Sequence, residues 1–181
     1  GSVRDMNAMF SGCAGLTRLD ISGFDTANVT DMGAMFSGCC NLKTLEVSHF
    51  NTANVTNLSA MFRDCSGLAE LDVSNFDTRS ATNLGSMFQG CRGLTELNAA
   101  NFNTTNVETM HAMFSGCTGL RTLDISGFQT DKVTTMSNLF RDCSSLTGLD
   151  LSCFVTSNVT NMSSMFQGCS GLTSLDLTSF T

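Results

Sequence analysis

The chain repeats itself. From Leu16 to Asn41 it reads LTRLDISGFDTANVTDMGAMFSGCCN, and the same skeleton returns every 26 residues to the C-terminus. At this period all 14 phenylalanines fall into two columns. One holds Phe10, Phe36, Phe62, Phe88, Phe114, Phe140 and Phe166; the other holds Phe24, Phe50, Phe76, Phe102, Phe128, Phe154 and Phe180. Such a period marks a solenoid, because one unit cannot bury its apolar face alone and must stack on its neighbours. The expectation is a single array of about seven repeats over 3–181, in place of the one or two globular domains that 181 residues would suggest. Gly1 and Ser2 match no repeat position and read as an expression scar, to be left out of fold reasoning. The repeat phase is broken at both ends, so the array reads as a piece of a longer one.

Each unit contains two hydrophobic periods. Leu19-Asp20-Ile21-Ser22 alternates apolar and polar, the pattern of a short strand with one solvated face. It recurs from Leu45-Glu46-Val47-Ser48 to Leu175-Asp176-Leu177-Thr178, and units of equal length place these strands parallel and in register. Seven of them would form a layer roughly 29 Å long. A polar turn with an invariant threonine follows, at Thr26, Thr52, Thr78, Thr104, Thr130 and Thr156. Such a hydroxyl is expected to satisfy a backbone group of the turn. Next, Val29, Met32, Met35 and Phe36 are spaced as a helical stripe about two turns long. Thr30 or Asn28 would cap its start and Gly38 its end. Small residues such as Gly33-Ala34 and Ser59-Ala60 would let neighbouring helices approach. The predicted class is therefore an α/β solenoid. Strands stack about 4.8 Å apart and helices about 8–10 Å, so the strand layer should be concave and the helices convex.

Nine cysteines would suggest a disulfide framework if their spacing were ignored. Seven of them (Cys13, Cys39, Cys65, Cys91, Cys117, Cys143 and Cys169) share one repeat position. Cysteine is a small apolar side chain that is often fully buried, so this column reads as core thiols. Stacked neighbours could come within disulfide reach, but an odd ladder cannot pair completely. Cys40 and Cys153 lie off the column and read as the exposed thiols.

The formal net charge of −7 argues against nucleic acid or an anionic membrane as partner, and no apolar run is long enough to insert into a bilayer. No converging nucleophile and base, phosphate loop or metal-ligand pattern stands out, so no catalytic residue, metal or cofactor is assigned. His49 and His111 occupy different repeat positions, one after a strand and one on the helical stripe.

The distinctive polar feature is the column Asp20, Glu46, Asp72, Asn98, Asp124, Asp150 and Asp176 on the open strand face. Beside it runs a variable outward column that includes Glu70 and Glu96. Together these residues are the candidate binding strip. Like charges in register should raise some of their pKa values and couple their titrations. Solvation by the adjacent serine column and backbone donors is one reading. An acidic strip for Ca²⁺ or a cationic ligand is another, although calcium needs more oxygens than a flat strand face supplies. Near the middle, Arg79-Ser80-Ala81, Asn98-Ala99-Ala100, Glu108 and His111 depart from the pattern, as drift in a repeat that still packs or as a local binding patch.

The recurring Leu-x-x-Leu-Asp-x-Ser-x-Phe-x-Thr-x-x-Val-Thr-x-Met-x-x-Met-Phe-x-x-Cys, as in Leu16 to Cys39 and Leu146 to Cys169, resembles the BspA-like leucine-rich repeats of bacterial surface proteins. That resemblance implies a right-handed solenoid, displayed on a cell surface or secreted, acting in adhesion to a host or neighbouring-cell protein or glycan. It fixes no binding residue. A passive spacer that presents other domains is the alternative.

Overall fold

The computed structural model describes residues 1–181, whose backbone winds into coils spanning 3–28, 29–54, 55–80, 81–106, 107–132, 133–158 and 159–181. The coils stack in parallel. Bridges join Asp5 to Asp31, Asp31 to Asn57, Asn57 to Asn83 and so on to Asn161, at one position in every coil.

No helix forms, contrary to the expectation for Val29–Phe36 and its equivalents. Alternate N–H groups of this segment leave their own coil. Met32 donates to Asn57 O (3.0 Å), Ala34 to Ser59 O (2.7 Å), Phe36 to Met61 O (2.9 Å) and Gly38 to Arg63 O (2.7 Å). The intervening residues close four-residue turns, Met35 to Met32 O, Ser37 to Ala34 O and Cys39 to Phe36 O, at 3.0–3.2 Å. Ala34 (φ 53°) and Gly38 (φ 76°) are left-handed, as the third residue of a type II turn requires. A right-handed helix keeps every φ negative, so these residues exclude it. The three-residue spacing of Val29, Met32 and Met35 misleads because it is also the pitch of this train of turns. After a one-residue step to Phe36 the same spacing continues through Cys39, Leu42 and Leu45, all buried. The small residues at 34, 60, 86, 112, 138 and 164 serve positive φ, not helix contact.

The strand layer is likewise reduced. Only β1 (Glu96–Asn98) and β2 (Thr122–Asp124) form strands, paired parallel with Glu96 opposite Thr122 and Asn98 opposite Asp124. The register is the expected one, but the equivalent segments of the other coils make no ladder. One repeat position explains the difference. At five junctions a side chain there reaches back to a carbonyl of the preceding coil: His49 to Ile21 O, Asn75 to Ser48 O, Asn101 to Ser74 O, Cys153 to Ile125 O and Ser179 to Leu151 O, at 2.8–3.5 Å. These side chains stand between neighbouring backbones as spacers. Between the fourth and fifth coils the position is Gly127, where a Cβ would meet Ala100 O at 2.0 Å. With nothing interposed, the backbones close, and Ala99 N–H bonds Asp124 O at 2.8 Å.

The core follows the columns. Rings from Phe10 through Phe166 form one unbroken stack, each centroid 5.7–5.8 Å from the next and the planes within 12°. That is the offset arrangement favoured by aromatic quadrupoles. All nine cysteines are free thiols. The column thiols donate to phenylalanine carbonyls of the preceding coil, as Cys65 Sγ does to Phe36 O (3.1 Å) and Cys91 Sγ to Phe62 O (3.0 Å). Burial pushes Cys65 and Cys117 up to about 12. Cys40 and Cys153, expected to be exposed, are half-buried, and Cys153 is one of the spacers. The threonine column performs its expected role across coils: Thr104 Oγ1 donates to Gln129 O (2.8 Å) and accepts from Gln129 N–H (2.7 Å). Of the departures near the middle, Ala81 is fully buried in the column of Val29 and Ser80 Oγ donates to Ala53 O (2.6 Å), whereas Arg79, Asn98, Glu108 and His111 are exposed.

Candidate functional site

One flank of the solenoid is left with polar side chains and little backbone pairing. It is built by the Leu-acid-aliphatic-Ser segment of each coil. Alternation sends Leu45 and Val47 inward, both buried, and Glu46 outward, exposed. Each outward acid then caps the chain two residues on. Asp20 Oδ1 accepts from Ser22 N–H (3.0 Å) and Ser22 Oγ (2.7 Å), Asp72 Oδ1 from Ser74 N–H (2.9 Å), and Asp124 Oδ1 from Ser126 N–H (3.1 Å). In the fourth coil Asn98 Oδ1 performs the same task for Ala100 N–H (3.0 Å).

These caps overturn the electrostatic expectation for the column. Hydrogen bonds from the serine hydroxyl and then its N–H hold Asp20, Glu46, Asp72 and Asp124 below the ordinary carboxylate range. For Asp150 and Asp176 the backbone N–H of Ser152 and Thr178 leads. Repulsion from Asp72 on Glu46, and from Asp150 on Asp176, opposes this without reversing it.

Over the first five coils this flank forms a trough of about 1240 Å³. Of the candidate strip, Asp20, Glu46, Glu70, Asp72, Glu96, Asn98 and Asp124 line it. Asp150 and Asp176 lie apart, in a crevice of about 70 Å³ beside Ser152 and Ser179. The strip expectation did not include the trough's floor, Leu19, Leu45, Leu71, Leu97 and Leu123, nor the lone cation Arg18. Their sequence signal was the leucine between each pair of outward positions, which reads as core from alternation alone. No three His, Cys, Asp or Glu side chains converge to hold an ion. The histidines sit in different columns. His49 Nε2 lies 3.0 Å from Ile21 O, and His111 Nδ1 lies 2.7 Å from Ser137 Oγ.

Parallel coils of constant length, a leucine-floored polar face and an apolar interior threaded by aromatic stacks define a leucine-rich-repeat solenoid, with repeats of the BspA-like type found in bacterial surface proteins. The chain belongs to the family described as "Mycoplasma protein of unknown function, DUF285", whose profile matches residues 4–118 and 92–180. It is similar to the crystal structure of a leucine-rich cell surface protein from Faecalibacterium prausnitzii, with 23% identity and a TM-score of 0.55 over 82% of this chain and 36% of that one. It is also similar to a leucine-rich repeat protein from Eubacterium ventriosum, with 20% identity and a TM-score of 0.50 over 84% of this chain and 43% of that one. At these identities the likeness concerns the fold, and this chain spans less than half the length of either neighbour. No curated protein matches the chain. No helix is long and apolar enough to cross a membrane.

Proposed function

We propose that the chain is a non-enzymatic binding module of a cell-surface or secreted protein, and that it adheres to a host or neighbouring-cell protein or glycan through the trough face. The observation that carries this reading is the contrast between the two flanks. The turn flank spends alternate N–H groups on the next coil, whereas the trough flank presents two outward side-chain columns that carry no part of the core. Substitutions in the column of Glu70 and Glu96 change contacts while leaving the stack intact, and in the capping column Asn98 shows that charge can change while the cap is kept, as a recognition surface requires. The neighbour from Faecalibacterium prausnitzii is itself described as a cell surface protein, which is consistent with display outside the cell.

The test is a screen of immobilised matrix proteins and glycans with the chain and with an Asp72→Lys, Glu96→Lys, Asp124→Lys variant. The variant should keep its circular dichroism spectrum and lose the captured partner. Unchanged capture would reject the face. Capture by the intact protein but not by this chain would make the repeats a spacer.

A further inference from the structure

The trough also indicates the chemistry of its occupant, an inference that rests on reading this face as the binding surface. It carries six carboxylates, Asp20, Glu46, Glu70, Asp72, Glu96 and Asp124, against the single cation Arg18. On each coil the two outward columns are separated by one inward-facing leucine, so they run as rails about 6–7 Å apart. Each capping aspartate uses Oδ1 on its serine and leaves Oδ2 without a partner: this holds for Asp20, Asp72 and Asp124. The carboxylates are therefore oriented by the fold, yet keep one oxygen for a ligand.

An inorganic cation fits this arrangement poorly, because the acids are strung out in rows and no three converge. A cationic side chain fits better, because each charged head needs only one rail carboxylate. We propose that the trough binds an extended lysine- or arginine-rich segment of a partner protein, lying along the stacking axis between the two rails. The charges oppose those of the trough, and flexible cationic side chains on alternate residues of an extended segment, about 6–7 Å apart, can each reach a rail carboxylate. Hydrogen bonds from the serine hydroxyl and then its N–H hold Asp20, Asp72 and Asp124 below the usual carboxylate range, so this rail stays anionic in mildly acidic surroundings.

The test exploits Asn98, which shows that an amide caps this turn as well as an acid does. A variant with Asp20→Asn, Asp72→Asn, Asp124→Asn, Glu70→Gln and Glu96→Gln neutralises five of the six carboxylates and leaves Glu46 to balance Arg18, while keeping the turns. Asp150→Asn with Asp176→Asn removes charge outside the trough and serves as the control. Fluorescence anisotropy with a labelled alternating Lys-Ser decapeptide should show saturable binding to the native chain that weakens as salt rises. The neutralised variant should bind about tenfold or more weakly, and the control within about twofold of native. The proposal falls if a matched Glu-Ser peptide binds equally, if the control loses as much as the trough variant, or if no saturable binding of the Lys-Ser peptide occurs. Should the screen yield a partner that charge reversal removes while the Lys-Ser peptide does not bind, the surface stands and the basic segment alone is discarded.

Discussion

Thr104 shows how much of this fold depends on single side chains bonding across coils. Its hydroxyl both donates to and accepts from the backbone of Gln129, and the residue is fully buried. Thr104→Val keeps the shape but strands that N–H and carbonyl, and should cost about 2–4 kcal/mol in urea unfolding. Thr104→Ser should recover most of that loss. The thiols add a pH dependence. Burial raises the thiol pKa values of Cys65, Cys91, Cys117 and Cys143 in the folded chain, whereas unfolded thiols titrate near about 8.5. Above that pH the unfolded state sheds protons that the folded state retains. The stability present below it is therefore lost progressively as pH rises toward about 12, where Cys65 and Cys117 titrate. Thermal melts at rising alkaline pH should show this decline, and Cys91→Ala with Cys117→Ala should flatten it. The capped aspartates act at the other end. Their contribution is present above the ordinary carboxylate range and lost as pH falls through their lowered values.

At the scale of the element, the informative unit is the junction between coils. A donor side chain at the spacer position coincides with an unpaired trough segment in five junctions, and glycine coincides with β1 and β2 in the sixth. Gly127→Asn should force the fourth and fifth coils apart, since its Cβ would meet Ala100 O at 2.0 Å. Amide hydrogen exchange should then accelerate at Ala99 and Arg121, whose N–H groups bond across this junction to Asp124 O and Thr95 O at 2.8 Å. Exchange should stay slow on the turn flank, at Phe88 and Phe114, whose N–H groups bond Met113 O and Leu139 O. Unchanged exchange at Ala99 would show that the spacer does not control pairing.

For the whole molecule, stability is a chain of nearest-neighbour contacts, because each coil touches only those above and below it. Phe88 stacks on both Phe62 and Phe114 and is fully buried, whereas Phe166 stacks on Phe140 alone and is partly exposed. Phe88→Ala should therefore cost about 3–5 kcal/mol, the full range for a buried aromatic. Phe166→Ala should cost clearly less, by the same urea titration. Equal losses would mean that the stack unfolds as one indivisible unit with no dependence on position.

By itself the sequence determined which residues face inward and how often. The phenylalanine, methionine, leucine and cysteine columns are core because apolar side chains at a fixed period can escape water only by stacking, and the invariant threonine announced its own backbone bond. It also placed the acids on an outward face. What only the tertiary structure decided is where the backbone N–H groups go. The spacing of Val29, Met32 and Met35 suits a helix and a train of turns equally, and the choice rests on carbonyls in the next coil, 25 residues away. Nor could Leu-Asp-Ile-Ser at 123–126 reveal that its coil alone closes on the one before, since that depends on the absent side chain of Gly127 meeting Ala100. Burial is written residue by residue in the chain; hydrogen bonding between distant turns is settled only when they meet.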